Sequence, residues 1–190
     1  MQENRKQQDK TKQVAKDLYP HEKWEILEKG LYIAKSRIPR SAEQINILEK
    51  EIRQARILVN RGSIVYLLPE TPLLGEKNKK YPDAVVDGQV MEFKTITGSI
   101  RQVEERYKEA RVKTNNVFIK IDGHLSRHNV TRKLSGYINR KGYSGGVIFA
   151  YFSQSGEFYK WSEDELKQKK SGPCDPAAIR GNSDIPNCPR

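Results

Sequence analysis

The sequence predicts an α+β domain built on a single central mixed sheet, with a helical N-terminal extension and a loose C-terminal tail. Short β-prone runs and helical stretches of three-to-four apolar spacing follow in the order helix, strand, strand, strand, helix, strand, helix, strand, strand. An Asp87-Gly88 pair between two of those runs marks a tight hairpin, because a type I′ turn needs positive φ at both central residues. The strands are too short for a doubly wound fold.

Taken in order, residues 1–18 are polar and charged and read as a frayed helix or disorder. Residues 19–40 carry Tyr19, Trp24, Ile26, Leu27, Leu31, Tyr32 and Ile33, which predicts a helix from Pro20 that docks loosely on the core, ended by Pro39. Residues 1–40 thus form a basic extension. A domain of residues 41–165 follows, and then a tail of residues 166–190. Ser41 opens the first strong helix as its N-cap, with Gln44 at the third helical position in a capping-box pattern. Ile45, Leu48, Ile52, Ala55, Leu58 and Val59 form its apolar stripe, and Asn60-Arg61-Gly62 ends it. A buried strand spans residues 63–69, and a lysine-rich loop leads to the hairpin. A helix over residues 100–114 is broken by Asn115-Asn116, and a strand over 117–121 follows. The series closes with a helix near 130–140 and two strands, 146–152 and 157–161.

The 190 residues suit one domain with tails. The net charge of +11 favours a polyanionic partner, nucleic acid before membrane. No apolar run approaches a membrane span and the N-terminal residues lack the apolar segment of a signal peptide, so the cytoplasm is the expected compartment. Cys174 and Cys188 lie in the Pro/Gly/Asn-rich tail. The expectation is free thiols in a reducing cytosol, or a small closed loop in an oxidising compartment.

Candidate chemistry concentrates in residues 81–95, YPDAVVDGQVMEFKT. On a strand, Val90, Glu92 and Lys94 share one face, while Met91, Phe93 and Thr95 share the other. Asp83 can lie across the hairpin from Glu92 and Lys94. Two carboxylates and an ammonium among Val, Met and Phe are costly unless they pair with one another or hold a cation. Lys77, Lys79 and Lys80 stand just before the Pro-Asp pair, where they can grip backbone phosphate, and Arg101 and Arg127 add to the basic set.

The αβββαβ order, with Pro82-Asp83 on the second strand and Glu92-x-Lys94 on the third, resembles the PD-(D/E)XK nuclease superfamily. The resemblance implies Asp83 and Glu92 as ligands of Mg²⁺ or another divalent cation, and Lys94 as the catalytic lysine. A helper carboxylate would come from the preceding helix, Glu51 or Glu49. The run from residue 53 through the hairpin to residue 121 also resembles the C-terminal toxin domains of CdiA-type contact-dependent growth inhibition effectors, within a similarity spanning roughly residues 45–162. That implies a toxin-like endonuclease acting on tRNA, delivery into another cell, and an acidic immunity protein as partner. Some toxins of that kind belong instead to a metal-free barnase/EndoU/RelE-like class. For that alternative the candidates are His124, Arg127, His128, Tyr151, Ser153 and Tyr159, with Lys94 as phosphate clamp, and only RNA can be cut because its 2′-hydroxyl is the nucleophile. A third expectation is a non-catalytic nucleic-acid-binding domain of a mobile element.

Overall fold

A computed structural model of the chain describes residues 2–37, 39, 41–70 and 81–168. Lys77, Lys79, Lys80, Cys174 and Cys188 lie outside the described residues. The chain begins with helix α1, Gln2–Leu18, followed by strands β1, Trp24–Glu28, and β2, Leu31–Ala34. After a short 3-10 turn at Lys35–Arg37 come helix α2, Ala42–Val59, and strands β3, Val65–Leu67, β4, Ala84–Val86, and β5, Gln89–Ile96. Helix α3, Ile100–Arg111, leads to β6, Asn116–Ile121, and helix α4, Arg127–Lys141, to the hairpin of β7, Val147–Phe152, and β8, Glu157–Ser162. The short helix α5, Glu163–Gln168, closes the described part.

Among the described residues eight strands form one mixed sheet in which spatial order equals chain order. β3, β4 and β5 are an antiparallel meander, β6 runs parallel to β5, β7 parallel to β6, and β8 antiparallel to β7. The α+β class and central mixed sheet match the sequence expectation.

The N-terminal segment differs from it. In place of a loosely docked helix from Pro20, the chain forms the antiparallel β1–β2 hairpin, and β2 pairs in parallel with β3. The residue types explain this, since Trp24, Ile26, Tyr32 and Ile33 favour a pleated surface and Gly30 takes the positive φ (+89°) that the reversal needs. α1 is a full helix, with Thr11 and Ala15 buried against the sheet.

Side-chain alternation divides the core between the two faces. Ala84, Val86, Met91 and Phe93 pack with Leu48, Ala55 and Leu58 of α2. On the other face Val85 packs with Tyr66, Leu68, Ala15 of α1 and Tyr19 just after that helix. Farther along that second face, Ile96, Val117, Ile119 and Ile121 lie under α3, α4 and α5. The α2 stripe is narrower than predicted, because Ile45, in the first turn, remains 45% exposed. Ser41 caps α2 as expected, its hydroxyl accepting from the Gln44 amide at 3.2 Å.

Candidate active site

The second face carries two covers, α1 over β3 and β4 and the α3–α5 group over β5 to β8. Between them lie the polar residues of the hairpin. Asp87 (φ 50°) and Gly88 (φ 78°) form the two-residue turn, and Val86 pairs with Gln89. Asp87 fixes the turn to the sheet by accepting at Oδ1 from the Ile64 amide at 2.9 Å. With this register Ala84 faces Met91, which sets Asp83 beside Glu92. Asp83 Oδ2 accepts from the Phe93 amide at 2.7 Å, so its carboxylate is clamped to the neighbouring strand.

Glu92 is 1% exposed, flanked by buried Met91 and Phe93. Its Oε1 receives Lys94 Nζ at 2.8 Å and Lys113 Nζ at 2.6 Å. Its Oε2 is buried with no hydrogen-bond partner among the described residues. Lys113 Nζ also lies 3.8 Å from Asp83 Oδ1, and Lys94 Nζ lies 3.9 Å from Glu109 Oε2 on α3. Burial and the adjacent Asp83 carboxylate push the Glu92 carboxyl above its ordinary value, against the opposing pull of Lys113 and Lys94. A cavity of about 500 Å³ adjoins this group, lined by Asp83, Lys94, Glu109, Lys113, Arg37 and Glu51 among others.

Glu51 does reach the cavity from α2, but it is ion-paired with Arg37 at close range. Arg37 is itself nearly buried. Its Nη1 donates to the carbonyls of Leu68 at 2.8 Å and Asp83 at 3.1 Å, and Nη2 lies 3.6 Å from Glu70. Burial pushes the Glu51 carboxyl up to about 7, with Asp83 and Glu70 adding to the rise and Arg37 opposing it. The third carboxylate of the expected ligand set is therefore committed to a guanidinium. Among the described residues no group of three or more His, Cys, Asp or Glu side chains is placed to hold a metal ion. Glu49 points elsewhere on α2, exposed and 3.5 Å from Arg53.

The residues of the metal-free alternative do not converge. His124 and Arg127 line a separate cavity of about 400 Å³ with Ser126, Gln154 and Glu157. Tyr159 lies beneath the Arg127 guanidinium, 4.2 Å from ring centroid to Cζ. His128 is exposed on the first turn of α4. Tyr151 occupies the opposite face, packed with the α2 cluster and covered by Arg61, because Ala150 rather than Tyr151 pairs with Tyr159. Ser153 donates to Asp122. Arg101 projects from α3 in an exposed pair with Glu105.

Sequence reasoning missed Lys113 and Arg37. α3 ends at Arg111, not near Thr114 as predicted, and the turn that follows, with the Lys113 amide donating to the Ala110 carbonyl at 2.9 Å, brings Lys113 back to the sheet. Arg37 lies in the segment expected to dock only loosely. Compared with protein-family models, curated proteins and solved structures, the chain matches none of them. No described helix is long and apolar enough to cross a membrane.

Proposed function

We propose that the protein is a nuclease of PD-(D/E)XK type, hydrolysing phosphodiester bonds with a divalent cation at Asp83 and Glu92 and with Lys94 beside it. The observation that carries this reading is the state of Glu92, a buried carboxylate with one oxygen held by two ammonium groups and the other without a partner. An unpartnered buried carboxylate oxygen is costly, and a cation removes the cost. The donor set fits a hard ion, since Glu92 Oε2 is unpartnered and Asp83 Oδ1 has Lys113 only at 3.8 Å. Mg²⁺ is held in this way by one or two carboxylates, with water and phosphate in its remaining positions. When bound, such an ion supplies a Lewis acid at the phosphoryl oxygen and a water of lowered pKa.

The chain's own groups supply the rest. Asp83, its Oδ2 clamped by the Phe93 amide, lines the cavity. Lys94, fixed by Glu92, presents a positive charge where negative charge grows on the phosphoryl group. The order α2–β3–β4–β5–α3–β6, a helix, an antiparallel meander, a helix and a strand parallel to the third, supports the same reading. tRNA is the favoured substrate through the CdiA-type resemblance, and the +11 charge suits both a polyanion and an acidic immunity protein.

Incubating purified protein with total tRNA and with plasmid, in Mg²⁺ and in EDTA, tests the proposal. Cleavage that EDTA abolishes is the expected result. RNA cleavage that survives EDTA would move the activity to a metal-free ribonuclease, with His124 and Arg127 as the groups to substitute. Binding to either polymer without cleavage would leave a nucleic-acid-binding domain.

A further inference from the structure

Lys113 touches both carboxylates of the pair, with its ammonium 2.6 Å from Glu92 Oε1 and 3.8 Å from Asp83 Oδ1. No other described cation does so, since the second acid near Lys94 is Glu109. Lys94 and Lys113 balance Asp83 and Glu92, and Glu109, 3.9 Å from Lys94, is balanced by Arg106 at 2.9 Å, so the cluster is neutral as it stands. A divalent ion added to it leaves an excess of two positive charges in a largely buried space, which like-charge repulsion and desolvation both oppose. Neutrality is approached again only if an ammonium leaves.

Lys94 sits mid-strand on β5, with its backbone carbonyl accepting from Gln54 at 3.1 Å. Lys113 sits on the turn after α3; both lysines line the cavity on the same four-carbon stem, so what separates them is the backbone behind each and the contact of Lys113 with both acids. Lys113 is therefore the group that can move.

We infer that Lys113 is a displaceable resident cation, which neutralises Asp83 and Glu92 in the empty site and yields that place to a divalent ion. Once released, its ammonium stands in the cavity beside Lys94, where a nucleic-acid phosphate meets it. The inference rests on the reading of Asp83 and Glu92 as a divalent-cation pair. It adds that metal affinity is set by competition with this chain's own lysine. No covalent step is involved, and Lys113 keeps its proton throughout.

The test is calorimetric titration of MnCl₂ into the full-length protein, without nucleic acid, for wild type, Lys113→Met and Lys113→Arg. The expected result is Mn²⁺ binding at least about tenfold tighter in Lys113→Met, as the competing charge is gone, and close to wild type in Lys113→Arg. The Mn²⁺-induced rise in melting temperature should likewise be larger in Lys113→Met than in wild type. If Lys113→Met does not fold without metal, Lys113→Gln, which keeps a donor for Glu92, carries the same expectation. Equal or weaker Mn²⁺ binding in the charge-removing variants, with wild type still binding, would overturn the competition and leave the metal site standing. If neither wild type nor variants bind Mn²⁺, the cation pair and the inference fall together, and cleavage in EDTA judges nuclease activity separately.

Discussion

Glu92 and Glu163 are both buried, at 1% and 0% exposure, and both meet basic side chains, yet their surroundings differ in kind. Glu163, at the start of α5, is satisfied on every side. Tyr107 donates its hydroxyl to Oε1 and the Gly146 amide donates to Oε2 at 2.9 Å, while Arg111 Nε lies 2.9 Å from Oε1 as an ion pair without hydrogen-bond geometry. Its backbone amide donates in turn to the Gly146 carbonyl at 2.9 Å. The approach is so close that a Cβ on Gly146 would lie 2.7 Å from the Glu163 carboxyl carbon and 2.4 Å from the Asn115 carbonyl oxygen. Glu92 has two ammonium groups on one oxygen, no partner among the described residues on the other, and neighbours Asp83, Lys94 and Lys113 that line a cavity. Burial and charge do not distinguish a structural glutamate from one available for chemistry. The satisfaction of its oxygens does.

The largest effect expected from this contrast is on stability. Glu163→Ala strands Arg111, whose side chain is 9% exposed, together with the Gly146 amide, and should cost about 3–5 kcal/mol in urea denaturation. A loss within about 1 kcal/mol would erase the distinction from the structural side. Next comes Glu92→Gln, which keeps shape but removes charge. On the proposed reading it should lower cleavage by roughly 10²–10³-fold, about 3–4 kcal/mol of transition-state stabilisation, in a variant that remains folded. Full activity in that variant would make Glu92 as structural as Glu163.

The smallest effect concerns Glu51, whose carboxyl is raised to about 7 in the folded protein from an ordinary value of 4.5. A raised carboxyl favours the protonated folded state, so its contribution is fully present below pH 4.5 and is lost as pH rises through about 7. In EDTA, wild type and Glu51→Gln should therefore match in stability near pH 4. The variant should be more stable above pH 7 by on the order of 2 kcal/mol. Parallel pH profiles for the two proteins would remove Glu51 from the titrating groups of the cavity.

The parts legible in the sequence were those whose cause is local. Asp87-Gly88 demanded its turn through backbone sterics alone, and that turn fixed the face shared by Glu92 and Lys94. Ser41 and Gln44 marked the start of α2 in the same way. The β1–β2 hairpin was hidden because a register shift between Ile26 and Glu28 interrupts the alternation that announces a strand. Tyr151 and Tyr159 could not be assigned to faces without the β7–β8 register, which parts them. The role of Lys113 depended on where α3 stops, a difference of about one helical turn, and such boundaries are the weakest part of any pattern-based reading. Arg37 gave no signal at all, being one basic residue among many until its partners were in place.

The identity of spatial and chain order in the sheet has a kinetic consequence. Among the described residues every strand pairs only with its predecessor and successor in sequence, from β1 to β8, with α2, α3 and α4 carrying the chain between parallel neighbours. Loop closures are short relative to the chain, and none must wait for a distant segment. During synthesis each new strand can add to an edge already formed by the one before it, so the sheet can grow on the ribosome in the direction of translation. Asp83, Glu92, Lys94 and Lys113 all precede the end of β6, so the cluster can assemble before the β7–β8 hairpin has been made.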